Sequence, residues 1–298
     1  MFDLGWRISA SRDAAAGVAL PDLQATVDAL LSCGADIKEL NAVRKHLSAV
    51  KGGRLAQAAD PAWLFTLILS DVVGNPLDVI ASGPSVPDPT TFADALDVLD
   101  RYGLRSRVPE AIVEHLQAGQ AATIDETPKT PYARQVVFIV GDGATAADGA
   151  AAAARQAGLP AIVATTTMAG DARTEALRCL ATAGPGVTVF AGETTVNVAG
   201  RGHGGRNQEA ALAAAQQLAG DPSTVFATLG TDGVDGPTEA AGAMVDGETI
   251  SRGMERGLDA DRYLADNDSG TYLQATGDLL VTGPTGTNVG DVWIVWRT

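Results

Sequence analysis

The chain has 298 residues, an apolar fraction of 46% and a formal net charge of −15 at pH 7, enough to bury one large or two ordinary α/β cores. So acidic a surface repels phosphate backbones and anionic lipid, and no Lys/Arg-rich run offsets it, which excludes nucleic acid and membranes as expected partners. Cys33 and Cys179 stand far apart without a C-x-x-C or Cys/His ligand spacing, which argues against a disulfide framework or structural zinc and for a reducing, cytoplasmic location.

In chain order, apolar residues at Leu20, Leu23, Val27, Leu30 and Leu31 predict a helix over Leu20–Ser32 with one buried face, stopped by Gly34. A second helix runs through Ile37, Leu40, Val43 and Leu47 and leaves Asn41, Arg44 and Lys45 on other faces, before Gly52-Gly53 breaks it. Residues 64–69 read as a buried strand, and the apolar run ends at Ser70-Asp71, too short to span a bilayer. The stretch from Ser70 to Pro89 is rich in proline and glycine and reads as a long shaped loop, a kind of segment that is commonly functional.

Two amphipathic helices follow near residues 93–101 and 109–117, with His115 in a packing or surface role. Residues 136–140, a Gly141-Asp142-Gly143 turn, an alanine-rich helix and a strand at 161–164 then form a βαβ unit. The pattern recurs with strands at 188–190 and 194–198, a helix over Arg206–Leu218 and a strand at 225–229, which predicts a parallel-rich sheet covered by helices. At the end, residues 278–282 and 291–296 read as two strands around a polar loop. The shift in composition at Ala183-Gly184-Pro185-Gly186 suggests a linker between domains 1–183 and 184–298.

Four segments carry candidate chemistry. Gly200-Arg201-Gly202-His203-Gly204-Gly205-Arg206 opens a helix, where backbone N–H groups and two arginines suit an anion; a tight structural turn is the plainer reading. Gly200, Gly202 and Gly205 also satisfy G-x-G-x-x-G with Asp232 after the next strand, the pattern of a dinucleotide site. In the loop after residues 64–69, Asp71 suits deprotonation of a hydroxyl or a metal, or simply caps the turn, and Ser82 is its other notable polar group. Arg44, Lys45, His46, Lys51 and Arg54 form a basic cluster, either a focus for an anionic substrate or a solvated helix face. Asp232 and Asp235 lie in a glycine-rich turn compatible with Mg²⁺ or with an Asx-turn. Asp268 reads first as a helix N-cap, and Thr285 and Asn288 sit in a hydroxyl-rich turn that suits a polar cleft. No G-x-x-x-x-G-K-[ST] motif occurs.

Asn41-Ala42-Val43-Arg44-Lys45-His46-Leu47-Ser48, Lys51-Gly52-Gly53-Arg54-Leu55-Ala56, the loop at residues 70–84, Gly204-Gly205-Arg206-Asn207-Gln208-Glu209, residues 231–241 and Gly283-Pro284-Thr285-Gly286-Thr287-Asn288 occur in one order. Together they resemble the type-II glycerate kinases, which include proteins often labelled hydroxypyruvate reductase and whose C-terminal half is known as MOFRL. The resemblance runs from about Leu20 onward. It implies an α/β fold with a Rossmann-like parallel-sheet N-terminal domain and an α/β C-terminal domain, and an active site in the cleft between them. The activity it implies is ATP-dependent, Mg²⁺-assisted phosphorylation of D-glycerate to 2-phosphoglycerate. Arg206 matches an active-site arginine, and Asp71 matches the Ser-Asp loop motif as general base or metal ligand.

Candidates for substrate or nucleotide binding are Asn41, Arg44, Lys45, Ser82, Gly83, Gly204, Gly205, Asn207, Asp268, Thr285 and Asn288, with Asp232 for metal and a homodimer as candidate assembly. Family members carry a preceding segment with a catalytic lysine and a Ser/Gly-rich loop, where this chain has Ile8-Ser9-Ala10-Ser11-Arg12-Asp13-Ala14-Ala15-Ala16-Gly17. The expectation is therefore a chain cut short at its N-terminus and impaired in catalysis. An NAD(P)H-dependent hydroxypyruvate reductase and a non-catalytic ligand-binding remnant are the alternatives.

Overall fold

A computed structural model describes residues 14–298; residues 8–13 of the loop noted above lie outside that range. The described chain forms two compact units: residues 14–67 with Pro76–Phe138, and Ile68–Asn75 with Ile139–Thr298. The division falls well before Ala183-Gly184-Pro185-Gly186, the expected linker, which instead joins a helix to a strand inside the second unit. No helix among the described residues is long and apolar enough to cross a membrane.

The first unit is mainly helical. Helices α1 (Leu20–Ser32), α2 (Ile37–His46), α4 (Phe92–Arg101) and α5 (Glu110–Gln120) pack apolar faces into one core around Leu30, Val43, Leu96, Leu99, Ile112 and Leu116, beside the short α3 (Arg54–Ala58). Capping boxes fix two helix starts: the Asp36 carboxylate accepts from the Lys38 and Glu39 amides, and Thr91 is paired in the same way with Asp94. His115 is buried in this core and its Nε2 lies 3.1 Å from the His46 carbonyl, a packing role as expected.

Strands β1 (Leu64–Leu69) and β2 (Gln135–Gly141) form a two-stranded sheet that the division cuts through. Their hydrogen bonds advance in step, Leu64 N–H to the Arg134 carbonyl and Ser70 N–H to that of Gly141, each 2.9 Å, so the strands run parallel. The expectation that β1 is buried is not met: Phe65 and Leu67 are 65% and 61% exposed. An unbroken apolar run reads as a strand covered on both faces, yet β2 is its single strand neighbour among the described residues.

The second unit is a three-layer sandwich. Its sheet has the order β3 (Ala161–Asp171), β4 (Gly186–Thr195), β8 (Asp291–Arg297), β5 (Thr224–Gly230), β6 (Gly242–Asp246), β7 (Leu279–Leu280). Helix α6 (Gly143–Gln156) covers one face through Ala147 and Ala151 against Val187, Val189 and Val292. On the other face, α7 (Ala172–Thr182), α8 (Arg206–Leu218), α9 (Thr249–Glu255), α10 (Ala260–Ala265) and α11 (Ser269–Thr276) bury Phe190, Phe226, Trp293 and Val295.

Only β3 and β4 pair parallel; every other pair in this sheet is antiparallel. The expected parallel-rich sheet is thus corrected to a mixed one. The unit β4–α8–β5 is a crossover as the alternation suggested, but β4 and β5 do not touch, and β2 and β3, expected as one βαβ unit around α6, lie in different sheets. β8 runs antiparallel between them, with Asp291 opposite both Gly192 and Gly230. Residues 188–190 belong to β4, which ends at Thr195, so no separate strand forms at 194–198. Strand β6 was not anticipated.

Candidate functional site

In the second unit, polar residues gather where strands end. A cleft of about 120 Å³ lies beyond the carboxyl ends of β1 and β2 and beside the middle of β3, lined among others by Ser70, Asp71, Asn75, Asp142, Gly143 and Thr167. Open α/β sheets place ligands at such ends. Asp142 caps α6, accepting from the Thr145 amide at 2.8 Å, and its other oxygen accepts from the Asn75 amide group at 2.7 Å. The Thr145 amide, aided by Asn75, holds the Asp142 carboxyl below its usual range against the upward push of burial. Asn75, with φ 54°, is thereby fixed in a left-handed turn at the cleft wall.

Asp71 stands in this cleft, and its Oδ2 accepts from Asn288 Nδ2 at 3.1 Å. The loop that carries Asn288 is stitched to the end of β5. Thr285 Oγ1 donates to the Thr231 carbonyl (2.6 Å), the Thr285 amide donates to that of Asp232 (3.1 Å), and Thr231 Oγ1 donates to the Gly290 carbonyl (2.7 Å). Two predicted residues, Asp71 and Asn288, are therefore in contact, while Thr285 shapes the loop that supplies one of them.

Arg206, the first residue of α8, is fixed by two acids. Its Nε and Nη2 donate to the two carboxylate oxygens of Asp291 at 2.6 and 3.0 Å, and its Nη1 lies 3.0 Å from Glu193 Oε1. Burial opposes its charge, but Asp291 and then Glu193 outweigh burial and hold the guanidinium more firmly protonated than a free arginine. Burial pushes the Glu193 carboxyl up; Arg206 opposes that, while Asp291 and Asp71 add to it. Asn207 is fully buried: its Nδ2 donates to Asp291 at 3.0 Å and its Oδ1 accepts from Trp293 Nε1 at 2.7 Å.

The glycine-rich loop before α8 differs from the expected open anion cradle. The amides of its first part are already bonded within the chain: Ala199 and Gly200 to Asn267 Oδ1, Arg201 to Asp266 Oδ1, Gly202 to the Asp266 carbonyl and His203 to Asp268 Oδ1. Asp268 consequently turns its carboxylate to His203 and Thr271 and makes no side-chain cap on α11. At the helix itself, the buried Asp235 accepts from the Asn207 and Gln208 amides at 3.0 and 2.8 Å, so the chain's own carboxylate occupies the positive end of α8. A Cβ on Gly205 would lie 2.3 Å from the Asp235 carboxyl carbon, and one on Gly204 2.4 Å from Ser269 Oγ, so both glycines serve close packing. The same bonds remove the dinucleotide reading of Gly200, Gly202 and Gly205.

Asp232 and Asp235 do not converge as a pair: Asp232 Oδ1 accepts from the Val234 amide at 3.0 Å, an Asx-turn, while Asp235 faces α8. Among the described residues, no group of three or more His, Cys, Asp or Glu side chains is placed to hold a metal ion.

The first unit carries its own polar cluster. Lys45 is 2% exposed and lies 3.3 Å from Asp78 and 3.2 Å from Asp88. It is neither on a solvated face nor an open cationic focus, because a buried ammonium requires paired carboxylates. Burial raises the Asp88 carboxyl, but bonds from the Thr90 amide and hydroxyl, with the charge of Lys45, bring it below its usual range. His46 bridges Ala42 and Glu126 at 2.7 and 2.8 Å. Arg44 is half-buried, and that burial weakens its hold on its proton.

Beside this cluster, Ser82 Oγ donates to Asn41 Oδ1 at 2.8 Å, and the buried Asn41 Nδ2 has no partner among the described residues. Ala81, Ser82 and Gly83 all have positive φ (50°, 61° and 59°), and a Cβ on Gly83 would lie 2.9 Å from the Asp78 Cα. Strain of this kind, held by the surrounding packing, is concentrated at functional loops.

Sequence reasoning missed Glu193 and Asp291 in the second unit and Asp78, Asp88 and Glu126 in the first. Each had a faint signal. Asp291 heads the apolar run Val292-Trp293-Ile294-Val295, where an acid is cut off from solvent and needs a partner, and Glu193 follows a glycine near a strand end.

Comparison with known proteins places the chain among others. Residues 9–117 match the family described as a domain of unknown function (DUF4147), and residues 186–291 match the MOFRL family. The chain is 44% identical over 290 residues to the D-glycerate 2-kinase of Thermotoga maritima, covering 93% of this chain and 67% of that protein. It is 41% identical over 290 residues to the glycerate 2-kinase of Pyrococcus horikoshii, covering 93% and 66%. The crystal structure of the Thermotoga maritima glycerate kinase superposes with a TM-score of 0.87 at 42% identity, over 96% of this chain and 69% of that one. The chain thus spans about two thirds of the length of these relatives.

Proposed function

The chain belongs to the type-II glycerate kinase family, and from that premise we propose that it transfers the γ-phosphoryl group of ATP to the 2-hydroxyl of D-glycerate, giving 2-phosphoglycerate and ADP. The observation that carries this reading is the 44% identity to a D-glycerate 2-kinase along 93% of the chain. The phosphorus–oxygen bond to the ADP leaving group breaks, a bond to the glycerate oxygen forms, and the hydroxyl proton passes to a base. Such transfers depend chiefly on positioning and charge stabilisation.

In this reading Asp71 is the base. Asn288 donates to its Oδ2 and fixes the carboxylate plane, and Oδ1 receives the proton. Arg206, oriented by Asp291, presents its outer edge to the charge of the transferring group or of the glycerate carboxylate. Mg²⁺ travels with a nucleotide triphosphate and asks for few protein carboxylates, which suits a chain that builds no three-ligand cage among its described residues. Asp232, one of whose oxygens is held by the Val234 amide, is the carboxylate we assign to it. We assign Asn41, Arg44, Lys45, Ser82, Gly83, Gly204, Gly205, Asn207, Asp268, Thr285 and Asn288 to binding or to the support of binding loops. We further propose a cytoplasmic location, a homodimer, and a functional division near residues 183 and 184, consistent with the MOFRL match beginning at residue 186.

The test is a coupled assay. ADP release that requires D-glycerate, with a product consumed by enolase, is the expected result. Oxidation of NAD(P)H with hydroxypyruvate, without any ATP turnover, would replace the proposal with a reductase.

A further inference from the structure

The two acids on Arg206 differ in every respect that decides whether a contact is permanent. Asp291 is fully buried, grips the guanidinium through both oxygens and is itself held by Asn207, which Trp293 anchors in turn. Glu193 is 42% exposed in its side chain and meets Arg206 through one oxygen; it makes no other hydrogen bond among the described residues. A guanidinium presents its donors in a rigid fork. With the Nε edge committed to Asp291, the Nη1 donor that Glu193 holds is the edge an incoming anion must use.

Charge points the same way. The charged groups that face Glu193 are Arg206 on α8, Asp291 on β8 and Asp71 in the loop after β1, and Asp235 adds its charge at Arg206, so carboxylates outnumber the one guanidinium. An anionic substrate meets net repulsion there unless one carboxylate withdraws or takes a proton. Asp291 is locked, Asp71 is tied to Asn288, and Asp235 is bonded to the Asn207 and Gln208 amides, which leaves Glu193.

We propose that Glu193 is the exchangeable counter-ion of Arg206, a positioning residue that holds the guanidinium while the site is empty and gives its place to the anionic group of the substrate, with Asp291 keeping the fork oriented throughout. The inference rests on the glycerate kinase reading for the identity of that anion, and not for the exchange itself. Because burial pushes the Glu193 carboxyl upward, its proton uptake on moderate acidification weakens its hold on Arg206 and favours the exchange.

The experiment compares the wild-type chain with Glu193→Gln and Glu193→Asp, after thermal melts establish that each is folded. Binding of D-glycerate, and separately of inorganic phosphate as a plain anion probe, is measured by calorimetry between about pH 5 and 8, alongside KM and kcat for D-glycerate. Glu193→Gln should bind both anions about two- to fivefold more tightly, the size expected for removing one partly exposed ionic competitor. For D-glycerate, whose carboxylate stays ionised over this range, wild-type affinity should weaken as pH rises, Glu193→Asp should keep that dependence, and Glu193→Gln should lose it; phosphate, which itself titrates in this range, is compared between variants at one fixed pH. Weaker anion binding by Glu193→Gln, unchanged binding, or a collapse of kcat at constant KM overturns the inference; the last would mean that Glu193 acts on the substrate itself. A wild-type chain that binds phosphate but releases no ADP with D-glycerate counts against the proposed function alone, and the phosphate series still decides the exchange.

Discussion

Arg206 reached the same place by two routes. Its position at the start of a helix after a glycine-rich loop marked it in the sequence, and the structure gives it a bidentate carboxylate partner. Arg206→Ala should lower kcat at least roughly a hundredfold, since an arginine on transferring phosphoryl charge is commonly worth more than that. Arg206→Lys should not restore the rate, because an ammonium cannot keep both bonds to Asp291 and offer a third edge. Steady-state kinetics on folded variants checks both; near-normal turnover by the alanine variant would make Arg206 structural. Partners were less legible than the arginine. Asp291 and Glu193 lie 85 positions after and 13 before it, by their residue numbers, and a lone acid has no periodicity to announce what it pairs with. Lys45 shows the same limit: a basic cluster in an acidic chain was legible, but its partners Asp78 and Asp88 come from a loop whose path the sequence does not reveal.

The helices that were anticipated kept their bounds closely, although α3, α7, α9 and α10 were not anticipated, whereas strands were found but their neighbours and directions were misread, for a physical reason. A helix such as Leu20–Ser32 or Arg206–Leu218 is specified by contacts within one stretch of chain, whereas a strand's neighbours and direction are set by segments far away. The apolar run of β1 shows how this misleads, since a strand expected to be buried presents Phe65 and Leu67 outward. Replacing both with threonine keeps the β propensity while removing exposed apolar area. The double variant should therefore self-associate less at high protein concentration, by light scattering, with its melting temperature within a few degrees of the parent. A sharp loss of stability would show that these side chains are covered in the protein as it occurs in solution. The glycine-rich loop adds a second lesson: loop and helix start were legible in the sequence, but the carboxylates and carbonyl that fill it come from Asp235, Asp266, Asn267 and Asp268.

For the molecule as a whole, acid is the condition most revealing of its buried charges. Asp88 has its carboxyl below the ordinary range in the folded state. It therefore contributes stability that is complete above its unfolded pKa and is lost as pH falls through the folded one. Melting temperature should drop steeply below about pH 4, the ordinary carboxylate range. Asp88→Asn should flatten that drop and cost about 3 kcal/mol at neutral pH, because it leaves Lys45 buried with the half-exposed Asp78 alone. Chemical denaturation at neutral pH measures the second effect, and a variant as stable as the parent would mean that Asp78 suffices.

The place of β8 bears on how the chain is made. Translation delivers β4 and β5 before the strand that joins them, since residues 291–297 are hydrogen-bonded to both. Until that segment has emerged, these two strands have no shared neighbour. Asp291, the partner that orients Arg206, arrives with that same segment. Closure of the larger sheet and assembly of the arginine clasp are thus one event in biosynthesis, and both wait for the segment that carries β8.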